Sequence, residues 1–224
     1  MNIAIDGPAG SGKSTAAKKL AEELHYIYVD TGAMYRAMAL FCIRNGIASE
    51  DAQAVSAALG DMDVRIAYAD GMQIVYLNGE DVSGLIRTEE VSRATSVISA
   101  YGPVREKLLF LQRQIAAEND VIMDGRDIGT VVLPDAQCKV FLTASVEKRA
   151  MRRYLEQKEK GLDVALCDIE ADIRIRDERD SNRSAAPLKQ AADAVLLDTS
   201  DMTIDEVTAY IRDLAVRKGA AKKA

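Results

Sequence analysis

Short apolar runs alternate with longer stretches of helical periodicity along most of this chain. Charged or turn-forming residues bound the apolar runs, so we predict buried strands at Asn2–Asp6, Tyr26–Asp30, Val121–Asp124, Lys139–Leu142 and Ala194–Leu197. The stretches between them predict helices at Gly12–Leu24, Gly32–Arg44, Val104–Glu118, Ser145–Lys160, Asp168–Asn182 and Ile204–Lys218. This alternation predicts the α/β class, with a five-stranded parallel sheet and helices on both of its faces.

The segment from about residue 63 to residue 85 breaks this alternation. Two runs of alternating residues, Val-Arg-Ile-Ala-Tyr and Gln-Ile-Val-Tyr-Leu, are separated by Asp70-Gly71 and followed by Asn78-Gly79. Both dipeptides are typical of hairpin turns, so the segment predicts a small antiparallel sheet. No linker-like stretch borders it, and we therefore interpret it as an insertion into a single domain of 224 residues. The small, basic residues from Lys218 to Ala224 are expected to fray.

The composition argues against two classes of function. A net charge of −6 and a pI of about 5.0 disfavour general nucleic-acid binding, because counterion release needs a broad basic surface. No apolar run approaches the roughly 18 residues that a membrane span needs, and the chain opens with a predicted strand, not a signal peptide. We therefore expect neither a nucleic-acid partner nor a membrane.

Cysteine and histidine usage narrows the chemistry further. Cys42, Cys138 and Cys167 lie far apart with no CxxC spacing, which argues against a disulfide framework or a zinc site and favours a reducing cytoplasm. His25 is the single histidine, so a histidine-rich metal site is excluded and a Ser-His-Asp triad would have to use this residue. We interpret His25 as a surface residue at a helix end.

A phosphate-binding motif follows the first predicted strand. It reads Gly7-Pro8-Ala9-Gly10-Ser11-Gly12-Lys13-Ser14 and fits G-x-x-x-x-G-K-[ST] without a mismatch. Its glycines let backbone N–H groups turn inward around a phosphate, and the following helix adds its N-terminal partial charge. Lys13 would neutralise the β- and γ-phosphates, and the Ser14 hydroxyl would bind Mg²⁺. The motif predicts ATP or GTP binding.

Two further clusters stand at predicted strand ends, where ligands bind in open α/β sheets. The segment Asp30–Arg36 follows the second strand. The guanidinium of Arg36 could form a bidentate pair of hydrogen bonds with a second phosphate. The segment Asp124-Gly125-Arg126-Asp127 follows the third strand, and Asp124 occupies a Walker-B-like position near a metal and its waters. A plain surface arginine and an ordinary turn are the structural alternatives for these two segments.

Arginines are concentrated in the last third of this acidic chain. Seven of them fall within 35 residues, namely Arg149, Arg152, Arg153, Arg174, Arg176, Arg179 and Arg183. One helical face carries Ile169, Ile173, Arg176, Asp180 and Arg183, so it starts apolar and ends charged. We interpret it as a helix that leaves the core to line a cleft where a triphosphate is neutralised. A solvated helix face is the alternative.

These segments together resemble the bacterial cytidylate kinases. The resemblance is carried by Gly7–Thr15, Asp30–Arg36, Gly79–Ser83, Val104–Glu106, Asp124–Thr130 and Arg176–Arg183. The matches recur in order from the first strand to the last helix, and the run Asp124–Thr130 is rarely met by chance. The resemblance implies a P-loop kinase core, an inserted monophosphate-binding subdomain at about residues 33–100 and a helical lid at about residues 147–165.

The resemblance also implies an activity and a set of site residues. The activity is ATP-dependent phosphorylation of CMP and dCMP with Mg²⁺. ATP would be bound by residues 7–15 and by Arg149, Arg152 and Arg153 of the lid. CMP would be bound by Thr31, Tyr35, Arg36, Ser96, Arg105, Arg126, Asp127, Arg176 and Asp180. Catalysis would involve Lys13, Asp124, Arg126 and Arg183.

Within this implied set, the roles divide by part of the nucleotide. Arg36 and Arg126 would grip the CMP phosphate. Ser96, Arg105 and Asp127 would read the cytosine edge, since a carboxylate suits the exocyclic amino group of cytosine. Arg176 and Asp180 would hold the sugar hydroxyls, and Arg183 would reach the transferring phosphoryl group. Thr31 stands where many members have serine, so the hydroxyl is retained.

Two other functions stay open at the level of sequence. The first is a P-loop kinase for another small acceptor, such as AMP, UMP, dTMP or shikimate. The second is a nucleotide switch, which has no need of acceptor-side arginines and for which no guanine-reading Asn-Lys-x-Asp motif is present. We expect a cytoplasmic monomer whose partners are its small-molecule substrates.

Overall fold

The computed structural model describes residues 1–69, 71–159 and 161–221. The strands are β1 (Asn2–Asp6), β2 (Ile27–Asp30), β3 (Val64–Ala69), β4 (Met72–Leu77), β5 (Glu80–Asp81), β6 (Val121–Gly125), β7 (Cys138–Thr143) and β8 (Val195–Asp198). The helices are α1 (Lys13–Leu24), α2 (Thr31–Arg44), α3 (Ala52–Ala57), α4 (Glu89–Ile98), α5 (Gly102–Glu118), α6 (Val146–Glu159), α7 (Leu166–Asn182) and α8 (Ile204–Arg217). A 3₁₀ turn at Ala58–Asp61 and a π-helical turn at Ile128–Val132 complete the described elements.

The strands form two sheets, as the hydrophobic pattern predicted. The larger is a five-stranded parallel sheet with the order β2-β6-β1-β7-β8, and the smaller is an antiparallel sheet with the order β3-β4-β5. In the larger sheet Ile5 pairs with Val140 and Val140 pairs with Val195. The α/β class and the small antiparallel sheet are therefore confirmed.

Each predicted strand of the larger sheet lies within one residue of its observed bounds, and each predicted helix within two. Two helices were not predicted, α3 and α4, and neither was the π-helical turn after β6. Three predictions extend outside the described residues: the turn residue Asp70, the helix end at Lys160 and the fraying of residues 222–224.

The central strands are buried because their side chains are apolar on both faces. Ile3, Ala4 and Ile5 of β1 are fully buried, and the apolar residues of β6 are buried as well. Such continuous apolar runs are typical of parallel strands covered on both faces, whereas a one-sided sheet alternates. The first polar residues after these runs, Asp6 and Asp124, therefore lie at the carboxyl ends of buried strands.

The chain divides into two compact units. Unit 1 comprises Met1–Tyr26 and Ile122–Ala224, and unit 2 comprises Ile27–Val121. Unit 1 contains β1, α1, β7, β8 and the helices α6 to α8, and unit 2 contains the small sheet with α2 to α5. Within the described residues, no helix is long and apolar enough to cross a membrane.

Candidate active site

The P-loop of unit 1 connects β1 to α1, as its motif predicted. Gly7 adopts a φ of 145°, and a Cβ at this position would lie 2.0 Å from the backbone oxygen of Leu142 in β7. Only glycine satisfies both conditions. Gly12 precedes α1 with a φ of 88°, so the loop enters the helix through a left-handed residue. The backbone N–H groups at the start of α1 have no intrahelical partners and form a ready site for an anion.

Lys13 is buried within this loop. Its Nζ donates to the carbonyl oxygen of Pro8 at 2.6 Å and to Oγ of Ser11 at 3.4 Å. Burial, together with the positive charge of Arg126, lowers the pKa of Lys13 well below its usual range. A bound phosphate would reverse this shift, because an adjacent negative charge favours the ammonium form.

Ser14 and Asp124 are brought together by the fold although 110 residues separate them. The Ser14 hydroxyl donates to Oδ2 of Asp124 at 2.7 Å, and Asp124 is buried at the end of β6. A hydroxyl beside a carboxylate is the oxygen donor set that Mg²⁺ prefers. Within the described residues no cluster of three or more histidine, cysteine or acidic side chains could hold a metal alone. The residues therefore fit a cation that takes its remaining ligands from phosphates and water.

Asp180 is buried among three of the predicted arginines. It accepts a hydrogen bond from Nε of Arg126 at 2.8 Å, and Arg176 and Arg183 each have a nitrogen 4.0 Å from its carboxylate. Burial alone would raise the pKa of Asp180, but the charges of Arg126, Arg176 and Arg183 outweigh it and hold the pKa below its usual value. Asp180 thus stays ionised and anchors a cluster of positive charge. Ile169, Ile173 and Asp180 are the buried residues of α7, so the face that the sequence analysis singled out is the inward face of this helix.

Asp127 and Arg183 form a second buried ion pair. Nη2 of Arg183 lies 3.3 Å from Oδ1 of Asp127, and both side chains are at least nine-tenths buried. Arg183 follows the last residue of α7 and also donates through Nε to the carbonyl oxygen of Ala186 at 2.6 Å. The sequence predicted separate roles for these two residues. Their pairing means that a change in one also alters the setting of the other.

Asp6 is a site residue that the sequence reasoning did not single out. Its carboxylate accepts hydrogen bonds from the backbone N–H groups of Ile128 and Gly129, both at 2.7 Å. Burial raises the pKa of Asp6 to about 6, against the lowering effect of these two hydrogen bonds. Asp6, the last residue before the P-loop, is therefore hydrogen-bonded to the turn that follows Asp127. The available signal was an acidic residue at the end of an otherwise apolar strand.

The three arginines predicted for the lid differ in their surroundings. Arg149 is buried and donates to the carbonyl oxygen of Ala9 at 3.0 Å and to Oδ2 of Asp177 at 2.6 Å. Arg152 donates to Oγ1 of Thr199 at 3.2 Å and also to its carbonyl oxygen. Arg153 is half-buried on the same helix. Arg149 thus joins α6 to the P-loop and to α7.

In unit 2, the segment predicted to grip a phosphate begins at Asp30. This residue caps α2 by accepting a hydrogen bond from the backbone N–H of Ala33 at 2.9 Å. Nη1 of Arg36 lies 3.8 Å from Oδ1 of Asp30, and Nη2 of Arg87 lies 3.5 Å from Oδ2. Thr31 is buried at the first position of α2. Arg87 was not predicted as part of this cluster, because the sequence places it 57 residues away.

Three of the residues predicted for CMP lie in unit 2, namely Tyr35 on α2, Ser96 on α4 and Arg105 on α5. The guanidinium carbon of Arg105 lies 5.5 Å from the centre of the Tyr35 ring, which is a cation–π distance. Nη1 of Arg105 also donates to the carbonyl oxygen of Ser99 at 3.0 Å. Ser96 is buried on α4, a helix that the sequence analysis missed.

The sequence of this chain was compared with those of known proteins and protein families. The chain matches the cytidylate kinase family over residues 3–217. A cytidylate kinase of Lactobacillus gasseri is 52% identical over 218 residues, which cover 97% of this chain and 95% of that protein. A cytidylate kinase of Shouchella clausii is 50% identical over 214 residues, which cover 96% of this chain and 95% of that protein.

A solved structure is similar in fold alone. An uncharacterized protein from Eubacterium ventriosum superposes with a TM-score of 0.52 at 13% identity, covering 95% of this chain and 96% of that one. The function therefore rests on the family match and not on this likeness. With a P-loop, its partner carboxylate and an arginine cluster in place, and with this match over nearly all of its length, the chain belongs to the cytidylate kinase family.

Proposed function

We infer that this chain is a nucleoside monophosphate kinase that transfers the γ-phosphoryl group of ATP to CMP and dCMP, giving CDP and dCDP. This is the activity of the family to which the chain belongs. The observation that carries the inference is the concentration of positive charge in unit 1. Arg126 and Arg176 both act electrostatically on buried Lys13, and Arg126 and Arg183 share the carboxylate of Asp180. Such a concentration suits a reaction in which phosphate charges must be neutralised.

The reaction itself requires positioning and little proton chemistry. An oxygen of the CMP phosphate forms a bond to the γ-phosphorus, while the bond to the β–γ bridging oxygen breaks and its electrons leave with ADP. The attacking phosphate is already deprotonated near neutral pH, so no general base is needed and the absence of a catalytic histidine is no obstacle.

We assign the ATP side of this reaction to unit 1. Residues 7–15 would cradle the phosphates, with Lys13 on the β- and γ-phosphates, and Arg149, Arg152 and Arg153 would contribute from the lid at about residues 147–165. Ser14, and Asp124 through bound water, would hold Mg²⁺, which when bound draws charge from the β- and γ-phosphates. The Ser14–Asp124 hydrogen bond supports this assignment.

We assign CMP binding to two sets of residues, one in each unit, and each set is supported separately. In unit 2, Thr31, Tyr35 and Arg36 would bind the phosphate side, and Ser96 and Arg105 the base. In unit 1, Arg126 would bind the CMP phosphate and Asp127 the base. Arg176 and Asp180 would bind the sugar, and Arg183 would contact the phosphoryl group that is transferred. The clustering of Arg126, Arg176 and Arg183 around Asp180 supports the second set.

We further propose that the chain works as a cytoplasmic monomer. The cysteines are free, as a reducing compartment allows, and two of the three are buried. Light scattering at micromolar concentration tests the monomer, and a stable dimer mass would contradict it.

A coupled ADP-release assay tests the activity. CMP, dCMP, UMP, AMP, dTMP and shikimate are compared at one concentration with ATP and Mg²⁺. We expect CMP and dCMP to give the highest rates, since the base site is assigned an acceptor for the cytosine amino group. A preference for any other acceptor would overturn the proposed substrate while leaving the P-loop assignment intact.

A further inference from the structure

One side chain of the small antiparallel sheet of unit 2 forms hydrogen bonds with the end of β2. Gln73 lies on β4, and its carboxamide oxygen Oε1 accepts a hydrogen bond from the backbone N–H of Asp30 at 2.8 Å. The carboxamide nitrogen Nε2 donates to the carbonyl oxygen of the same residue at 3.2 Å. Both backbone groups of Asp30 are thus paired with one side chain.

This pairing reproduces what a neighbouring strand would supply. β2 is an edge strand, since it stands at one end of the sheet order. The N–H and C=O of a strand residue point to the same side, and on an edge strand they lack a ladder partner there. A carboxamide carries one donor group and one acceptor, as a peptide does. The backbone of Gln73 is used elsewhere, because it pairs with Tyr68 of β3.

Asp30 is the residue whose position sets the following segment. It caps α2 through Ala33, so the start of the helix depends on where its side chain lies. Its carboxylate also lies 3.8 Å from the guanidinium of Arg36. Thr31 follows directly in the chain as the first residue of α2. A support for the Asp30 backbone therefore also orients the hydroxyl of Thr31 and the guanidinium of Arg36.

We propose that Gln73 is a positioning residue for monophosphate binding, and that the small sheet acts by holding Asp30, and with it Thr31 and Arg36, in the geometry that receives the acceptor phosphate. Gln73 does not itself touch the substrate. The inference rests on the proposed function, because it presumes that the acceptor is a nucleoside monophosphate.

The test is a comparison of Michaelis constants in variants of the full chain. Gln73→Met keeps the length of the side chain but removes both hydrogen bonds, and Gln73→Glu keeps an acceptor but loses the donor. Gln53→Ala is the control, since Gln53 is an exposed glutamine on α3 of the same unit. Thermal unfolding verifies that each variant is folded.

We expect Gln73→Met to raise KM for CMP roughly tenfold, the factor that the loss of two neutral hydrogen bonds allows. KM for ATP should change less than about twofold, and Gln73→Glu should fall between the parent and Gln73→Met. A general structural defect would instead affect both substrates and kcat together.

Three results would overturn the inference. They are an unchanged KM for CMP in Gln73→Met, an equal rise in both Michaelis constants, and a failure of both Gln73 variants to fold, which would assign Gln73 to stability alone. A failure of the proposed function looks different, because the parent protein would then show no preference for CMP in the coupled assay.

Discussion

Asp180 accepts a hydrogen bond from Nε of Arg126 at 2.8 Å, across 54 residues of sequence. Both residues were assigned to CMP from the sequence, one to the sugar and one to the phosphate. Their direct contact means that the carboxylate also orients the guanidinium. Removing the carboxylate should therefore disturb phosphate binding as well as sugar binding.

Asp180→Ala should weaken CMP binding by about 1.5–3 kcal/mol, the usual range for a hydrogen bond to a charged group. ATP affinity should change much less, because most of the contacts assigned to its phosphates come from the P-loop and Arg183 keeps its ion pair with Asp127. Isothermal titration with each nucleotide measures both effects, with exposed Asp172→Ala on the same helix as the control. Equal losses for CMP and ATP would mean that α7 had moved and would contradict a local contact.

Lys13→Ala should reduce kcat at least tenfold, with little change in KM for CMP. This corresponds to an activation barrier that is higher by about 1.4 kcal/mol or more. The reason is that the ammonium stabilises phosphate oxygens most strongly as charge develops on them. Circular dichroism verifies the fold, and Lys18→Ala is the control because Lys18 is exposed on the same helix. A folded variant that keeps more than a tenth of the parental kcat would remove Lys13 from catalysis.

Asp127→Ala should reduce the preference for CMP over UMP. For the parent we expect a ratio of kcat/KM values of about ten- to a few hundred-fold, since uracil would leave buried polar groups unpaired. Arg183 loses a partner in the variant, so the rate should fall with both substrates, and the ratio cancels this shared loss. If the variant discriminates as sharply as the parent, Asp127 does not read the base.

Asp6 should make the protein less stable as the pH rises from about 4 to 7. Burial raises the pKa of Asp6 from 3.8 to about 6, so between these values the folded carboxyl holds a proton that the unfolded one has lost. The free energy of unfolding due to this group therefore falls by about 2 kcal/mol across the interval.

Urea unfolding of the parent and of Asp6→Asn at several pH values measures this effect. The asparagine cannot ionise, so the stability of the variant relative to the parent should rise by about 2 kcal/mol between pH 4 and pH 7. The lost hydrogen bond to the turn at residues 128–129 adds an offset that does not depend on pH. A difference that stays constant over the range would contradict the prediction.

The elements that sequence predicted well carry a local signal. β1 was placed to the residue because an apolar run ends at Asp6, just before Gly7. The helix α4 was missed although Thr88 caps it by accepting a hydrogen bond from the N–H of Val91, because no strand-like run precedes it to suggest a boundary. The acidic residues of its first turn, Glu89 and Glu90, and its amphipathic pattern were nevertheless local signals present in the sequence.

Two residues whose partners lie far away in the sequence were not predicted. The motif residues Lys13 and Ser14 stood out because the whole loop is contiguous. Asp6 and Gln73 did not, because the first acts on residues 122 positions away and the second on a residue 43 positions away. A side chain that supports a remote backbone leaves no spacing pattern in the chain.

Gly7 and Gly12 are two of the three P-loop glycines with positive φ, and they should differ in their tolerance of substitution. At Gly12 a Cβ would meet nothing within 4 Å, so an asparagine, which accepts positive φ more readily than other residues, would cost only modest strain. At Gly7 the same atom would collide with the backbone of β7, which cannot yield without breaking the sheet. Saturation mutagenesis selected for folding alone would therefore recover variants at position 12 and only glycine at position 7.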